Sequence, residues 1–261
     1  LSYYVSLIHA DKLSVMALVE FLQGIKSLGK GEIDGFWDNF ATFEAYWSIA
    51  KGVEQHNFCF PVFADGTFAI EDFYHPLLKQ PVKNSLHLHA LENVLLLSGP
   101  NMSGKSTLLK AVGVCVYLAH LGFGVPATRC TLPFFDTLSV VINANDSLQS
   151  GYSHFMSEVQ NLKAVVQRAS EGQKCFAVFD EIFRGTNIDD ALDISSVTLN
   201  GFTQFPHCYF FVSTHILQLK DKLPAKHIGK YHVGCRLEQG QPYFTYQLQP
   251  GWSDLKIGKI I

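Results

Sequence analysis

The segment from residue 94 to residue 106 limits the possible folds of this chain more than any other. Val94–Ser98 is predicted to be a buried strand. The eight residues after it, Gly99-Pro100-Asn101-Met102-Ser103-Gly104-Lys105-Ser106, satisfy G-x-x-x-x-G-K-[ST]. The residues from Lys105 to Leu121 then favour a helix. A buried strand, a glycine-containing loop and a helix in this order are typical of a phosphate-binding loop, or P-loop.

The residue types in this loop suit the phosphates of a nucleotide. Gly99 and Gly104 let the backbone turn so that successive N–H groups face an anion, and the following helix adds the positive end of its dipole. Lys105 supplies an ammonium group for the β- and γ-phosphates, and Ser106 supplies a hydroxyl for Mg²⁺. The alternative is a structural glycine turn with an exposed lysine. We predict that ATP and Mg²⁺ are bound by a segment of nine residues: Gly99, Pro100, Asn101, Met102, Ser103, Gly104, Lys105, Ser106 and Thr107.

After Asn93, wholly apolar strands alternate with helices, which indicates an α/β fold with a mainly parallel sheet covered on both faces. The expected strands are 94–98, 175–179 and 209–213, and the expected helices are 105–121, 153–169 and 189–202. Two β-rich runs around Gln239-Gly240-Gln241 predict a C-terminal β-hairpin.

The first part of the chain has a different pattern. Apolar residues recur at helical spacing after Val15 and again after Ile33, so two amphipathic helices are expected, with Gly52 ending the second. We therefore predict a short helical appendage at 1–57 and a P-loop ATPase domain at 58–261. The chain begins with Leu1 rather than Met, and we expect it to be part of a longer protein.

Two acids follow the apolar run 175–179. The carboxyl ends of strands are where α/β sheets place their ligands, so Asp180 is predicted to hold Mg²⁺ and Glu181 to polarise the attacking water. A pair of acids that only caps a strand at the surface is the alternative. His215 ends the next strand, where an imidazole could donate a hydrogen bond to the γ-phosphate. Lys105, Glu181 and His215 are therefore the predicted catalytic residues.

Composition excludes several classes of protein. Lys and Arg number 20 against 23 Asp and Glu, a formal charge of −3, so no broad basic surface for nucleic acid is expected. The six cysteines are scattered singly, which argues against zinc ligation and a disulfide framework and fits the reducing cytoplasm. Ala111–Ala119, an apolar run, is about half the length of a membrane span.

Taken together, these segments resemble the MutS family of DNA mismatch-repair ATPases. Residues 98–107 are similar to the family's TGPNMxGKST loop, and four other segments agree in order: 74–77 with its "HP" segment, 153–158 with STFMxE, 180–186 with DEIGRGT, and 213–215 with ATH. Residues 250–253 are similar to PGxS. The resemblance covers roughly residues 35–261.

The resemblance implies an ATPase of the ABC class that works as a dimer, in which a signature serine of one subunit completes the nucleotide site of the other. Ser153 matches that serine, and it also precedes a helix, where it could simply be an N-cap. Asn101 is implied to sense the γ-phosphate. Asp189 and Asp190 lie in the stretch that reaches across the dimer interface in relatives, and the alternative for both is stabilisation of a helix start. A homodimer is expected, with DNA as a partner of the longer protein and no membrane.

The chain departs from the family pattern at several positions, including the three that follow. Phe183 stands where DEIGRGT has its first glycine, Asn187-Ile188 replace Ser-Thr, and His154 replaces the threonine of STFM. These differences suggest a divergent MutS-like branch. The alternatives are another ABC-class ATPase, against which Ser153-His154-Phe155-Met156 argues, and a nucleotide-gated dimerisation module with little hydrolysis.

Overall fold

A computed structural model describes residues 2–10, 12, 14–27, 29–142, 154–183, 187–223, 226–238 and 241–252. The helices are α1 (Ser2–His9), α2 (Val15–Ser27), α3 (Lys30–His56), α4 (Lys105–His120), α5 (His154–Ser170), α6 (Ile188–Phe202) and α7 (Leu219–Lys222). The strands are β1 (Val62–Phe63), β2 (Phe68–Phe73), β3 (Asn84–Leu88), β4 (Val94–Ser98), β5 (Arg129–Leu132), β6 (Thr137–Val141), β7 (Cys175–Phe179), β8 (Tyr209–Thr214), β9 (Ile228–Glu238) and β10 (Gln241–Pro250). Within these residues, no helix is both long enough and apolar enough to cross a membrane.

The structure divides into two compact units, 1–52 and 53–261. The first consists of α1, α2 and most of α3, so it has one helix more than the sequence predicts. The second contains all ten strands and α4–α7. The predicted domain boundary at 57/58 follows directly after the end of α3.

The expected end of a helix at Gly52 is wrong, because α3 continues to His56. The left-handed residue that ends the helix is Asn57, with φ of 52°. The Phe58 N–H then donates to the carbonyl of Val53 at 3.0 Å. Asparagine is the residue that most often replaces glycine in a left-handed helix stop, so the chain ends α3 without using a glycine.

The larger sheet has six strands in the order β10-β9-β4-β8-β7-β6. Four of its five strand pairings are parallel. The fifth, between β9 and β10, is antiparallel and forms the predicted C-terminal hairpin. β8 lies between β4 and β7, so the strand that carries the loop and the strand that carries the acids are separated by one strand. Parallel strands end at the same edge, and the loop, the acids and the end of β8 therefore meet there.

A second sheet makes the prediction of one mainly parallel sheet incomplete. Its four strands have the order β1-β5-β2-β3, and β2 is antiparallel to both of its neighbours. The strands are two to six residues long, so their apolar pattern alone could not assign a partner. The fold is a mixed α/β structure with two sheets.

Alternating side chains of the larger sheet enter two apolar cores. Leu95 and Leu97 of β4 pack with α4 and the smaller sheet, and Val94 and Leu96 pack with α5 and α6 on the opposite face. This period of two is the expected result of pleating in a strand buried on both sides. In the second core the rings of Phe202 and Phe210 stack at 4.0 Å between centroids.

Leu199→Ala is expected to lower the free energy of unfolding by about 2–5 kcal/mol, because Leu199 of α6 is fully buried in this second core. Val197 on the same helix is 73% exposed, and Val197→Ala should change stability by no more than about 0.5 kcal/mol. Urea denaturation of both variants measures the difference. Equal losses would contradict the assignment of this face of α6 to the core.

Candidate functional site

The loop between β4 and α4 has a backbone that requires glycine at two positions. Gly99 has φ of 149° and Gly104 has φ of 98°, both in the region that residues with a Cβ rarely adopt. Space is short as well: a Cβ on Gly104 would lie 3.0 Å from Cδ1 of Tyr246, and one on Gly99 would lie 3.1 Å from Oγ of Ser103. The two glycines of the pattern are therefore needed both for conformation and for packing.

Lys105, the first residue of α4, places a buried ammonium group at the centre of the site. Its Nζ donates to the carbonyls of Gly99 at 2.9 Å and Pro100 at 3.1 Å, and lies 3.4 Å from Oε1 of Glu181. The side chain of Lys105 is 4% exposed and that of Glu181 is 16% exposed. Burial lowers the pKa of the ammonium below its ordinary value, and the charges of Glu181 and Asp180 oppose that shift.

Asp180 and Glu181 follow β7 and are connected through a side chain of β8. The Ser213 hydroxyl donates to Oδ1 of Asp180 at 2.5 Å and accepts the N–H of Glu181 at 2.9 Å. Sequence reasoning gave Ser213 no role, although a serine directly after the apolar run Phe210-Phe211-Val212, at the end of a buried strand, was a signal that could have identified it.

The chain after Asp180 has two residues in the left-handed region, Glu181 with φ of 54° and Phe183 with φ of 62°. Phe183 is buried against the ring of Phe155, with 6.0 Å between centroids. Its N–H donates to Oε2 of the buried Glu158 on α5 at 2.9 Å. The positive φ explains why glycine suits this position in the family pattern, and here a side-chain carboxylate and apolar packing hold the phenylalanine instead.

One cavity brings most of the predicted residues together. It has a volume of about 380 Å³ and is lined by the loop and the acids: Asn101, Met102, Gly104, Lys105, Ser106, Thr107, Asp180, Glu181 and Tyr246. Its oxygen donors include the hydroxyl of Ser106 and the carboxylate of Asp180. Hard oxygen ligands of this kind fit Mg²⁺.

A second cavity of about 300 Å³ shares Gly104, Thr107 and Tyr246 with the first. The rest of its lining is largely apolar and comes from the segment 73–84 and from α4, including Phe73, Leu78, Val82, Leu108 and Ala111. Tyr246 lines both cavities and was missed by sequence reasoning.

Tyr246 reaches the loop because β10 is irregular there. The pairing of β10 with β9 shifts between Phe244 and Leu248, and Tyr246 has φ of 57°. Asn84 holds this bulge, since its Nδ2 donates to the carbonyl of Tyr246 at 3.1 Å and its Oδ1 accepts the N–H of Leu248 at 2.7 Å. No sequence pattern near Tyr246 indicates its hydrogen bond with Asn84, which lies 162 positions earlier in the chain.

The remaining predicted residues lie elsewhere. His215 follows β8 and lines a different cavity with Ile188, Ile216 and Trp252. Three predicted loop residues, Gly99, Pro100 and Ser103, do not line the cavity of the loop and the acids. Ser103 is buried, and its Oγ has no hydrogen-bond partner within the described part of the chain. Gly99 and Pro100 contribute their carbonyls, which accept hydrogen bonds from Lys105.

The residues predicted to face a partner subunit are only partly described. Asp189 and Asp190 are exposed in the first turn of α6. The N–H of Asp190 donates to Oδ1 of the N-cap Asn187 at 2.8 Å, so Asp190 takes part in capping the helix. Ser153 lies outside the described residues.

Comparison with known proteins gives a consistent result over this region. The family model described as MutS domain V matches residues 95–260. Three proteins called DNA mismatch repair protein MutS are similar to the chain: that of Lactobacillus acidophilus is 30% identical over 227 residues, that of Streptococcus sanguinis 30% over 228 residues, and that of Staphylococcus epidermidis 32% over 220 residues. The matches cover 84%, 84% and 81% of this chain and 26%, 26% and 25% of those proteins. The chain thus spans about a quarter of the length of these relatives.

Gly104→Ala is expected to lower the free energy of unfolding by about 1–3 kcal/mol, because alanine is strained at φ of 98° and its Cβ would press on Tyr246. Gly113→Ala is the matched control on the same helix. A Cβ there meets Val140 at 3.7 Å, an ordinary contact, so the change should be under about 1 kcal/mol and stabilising. Thermal or urea unfolding measures both, and a Gly104→Ala variant as stable as the parent chain would contradict the loop geometry.

Proposed function

The chain belongs to the MutS family through its domain V, and from this premise we propose that it binds ATP and hydrolyses it with Mg²⁺. The observation that carries the proposal is the position of the Lys105 ammonium, which lies in one cavity with the loop, Asp180 and Glu181. A phosphate-binding group and two carboxylates in the same cavity are what phosphoryl transfer to water requires. The fold proposed for this activity is a P-loop ATPase of the ABC class.

The loop is proposed to bind the phosphates. The first N–H groups of a helix have no partner within the helix, so those at the start of α4 are available to phosphate oxygens. Lys105 adds a positive charge that already lies beside the loop carbonyls, and Asn101 adds a side-chain amide at the mouth of the cavity. Charge neutralisation of this kind is the main contribution a protein makes to phosphoryl transfer.

The largely apolar second cavity is proposed to take the nucleoside. It adjoins the phosphate cavity at Gly104, Thr107 and Tyr246, so a ligand that fills both would pass over the start of α4. The ring of Tyr246 offers a flat apolar surface for a base or a ribose. The two volumes of about 300 and 380 Å³ together suit a ligand of nucleotide size.

The two acids are proposed to have different roles, one in metal binding and the other in activating water. Asp180 and the Ser106 hydroxyl would hold Mg²⁺, which would help to neutralise the negative charge of the phosphates. Glu181 would orient the attacking water and accept its proton. The role of His215 stays a prediction from strand order. His215 lines a different cavity from the loop and the acids, so it would contact the γ-phosphate only if the two came closer together.

The larger assembly is also part of the proposal. The similarity of residues 153–158 to the family's signature supports a dimer in which Ser153, Asp189 and Asp190 face the partner's nucleotide. The relatives are named as DNA mismatch repair proteins, and we propose that the longer protein acts on DNA while this domain supplies the ATP-driven switch. The reducing cytoplasm is the compartment proposed for it, in keeping with its six free thiols.

Lys105→Met is expected to abolish ATP binding, because it removes the only part of the side chain that can contact phosphate. The thermal midpoint should fall, because the carbonyls of Gly99 and Pro100 and the carboxylate of Glu181 lose the buried ammonium that they contact, and circular dichroism shows whether the variant is folded under the titration conditions. Lys110→Met on the same helix is the control, because Lys110 lines neither cavity. Fluorescence titration with ATP measures binding, and unchanged affinity in Lys105→Met would contradict the phosphate site.

Glu181→Gln is expected to keep ATP binding and to lower kcat by about 10²–10⁴-fold, because the amide cannot accept the proton of the water. Glu171→Gln, in the exposed turn directly after α5, should retain the parent activity. Phosphate release is measured over a range of protein concentrations. A rate per subunit that rises with concentration supports the dimer, a constant rate means that the monomer is active, and full turnover by Glu181→Gln would contradict the role of the acid.

A further inference from the structure

Ser213 occupies a position at which it can act on both acids at once. It is fully buried, and it lies on β8 between β4 and β7. Phe179 of β7 is level with Val212 of β8, so Ser213 follows level with Asp180. Its Oγ contacts Oδ1 of Asp180 at 2.5 Å and the backbone nitrogen of Glu181 at 2.9 Å.

The direction of these two hydrogen bonds is fixed by chemistry. A peptide N–H can only donate, so Ser213 accepts from Glu181. The single hydroxyl proton of Ser213 is then donated to Oδ1 of Asp180. The chain of hydrogen bonds runs from the Glu181 backbone through Ser213 to Asp180, and a hydrogen bond to a charged acceptor is stronger than one between neutral groups.

Each bond constrains a different part of the catalytic pair. The bond to Asp180 occupies Oδ1 and fixes the rotamer of the carboxylate that is proposed to hold Mg²⁺. The bond to Glu181 holds the N–H of a residue with φ of 54°, a conformation that is unfavourable for a side chain with a Cβ. That backbone conformation in turn determines where the Glu181 carboxylate points.

We propose that Ser213 is a positioning residue for ATP hydrolysis, which aligns the Mg²⁺-binding carboxylate of Asp180 with the water-activating carboxylate of Glu181 through one hydroxyl. This inference rests on the proposed function, since it concerns the same cavity. A residue that supports a metal ligand from behind typically affects metal affinity or activity by about 10–100-fold.

The test compares three substitutions of Ser213 with one control. Ser213→Ala removes the hydroxyl, Ser213→Cys fills the same space with a weak hydrogen-bonding group, and Ser213→Thr keeps a hydroxyl. Ser195→Ala is the control, because Ser195 is also buried but its Oγ has no hydrogen-bond partner in the described part of the chain. Thermal midpoints show that each variant is folded.

Three quantities are measured on the 261-residue chain: kcat, the Mg²⁺ concentration that half-maximally tightens ATP binding, and the exchange rate of the Glu181 amide by NMR. Ser213→Ala and Ser213→Cys should lower kcat and raise the Mg²⁺ requirement by about 10–100-fold, with ATP affinity at saturating Mg²⁺ within about twofold of the parent chain. Their Glu181 amide should exchange faster. Ser213→Thr keeps a hydroxyl, so its kcat, Mg²⁺ requirement and Glu181 exchange rate should be close to those of the parent chain. Ser195→Ala should match the parent chain in all three.

The outcomes separate this inference from the proposed function. If the parent chain does not bind ATP, the proposed function fails. If the parent binds ATP and Ser213→Ala keeps its Mg²⁺ requirement and its Glu181 exchange rate, the inference about Ser213 fails alone. Activity retained in Ser213→Cys but lost in Ser213→Ala would indicate a packing role and would also overturn it. The Mg²⁺ and exchange measurements decide the question even in a chain that binds ATP without hydrolysing it.

Discussion

The ammonium of Lys105 is the interaction on which the geometry of the site depends. A buried positive charge requires acceptors around it, and here they come from two directions, the carbonyls of the loop and the carboxylate of Glu181. The loop is thereby joined electrostatically to a turn two strands away in the sheet. The strand order makes this possible, since β4, β8 and β7 are parallel neighbours that end at one edge.

Features set by local sequence were predictable. Val94–Ser98 and Cys175–Phe179 have the predicted bounds as strands, because strands buried on both faces have uninterrupted apolar sequences. The glycines at 99 and 104 were predictable because few other residues adopt the backbone conformations found there. The acids could be placed at the same edge because parallel strands share a direction.

Features set by distant contacts were not predictable. Tyr246 reaches the loop through a bulge held by Asn84, 162 residues away, and neither residue belongs to a recognisable pattern. The second sheet joins short strands whose partners depend on the rest of the fold. The end of α3 was also missed: glycine is the commoner helix stop, so Gly52 was expected to end the helix, but α3 runs through Gly52 to His56 and the left-handed residue is Asn57.

The carboxylate of Glu158 has a mechanical consequence. It ties the early part of α5 to the peptide nitrogen of Phe183, two residues beyond Glu181. A tilt of α5 would therefore pull on that peptide and rotate Glu181 about the short stretch of backbone between them. Because Glu158 itself belongs to residues 153–158, which resemble the family's signature, this hydrogen bond couples the orientation of that helix to the position of the Glu181 carboxylate.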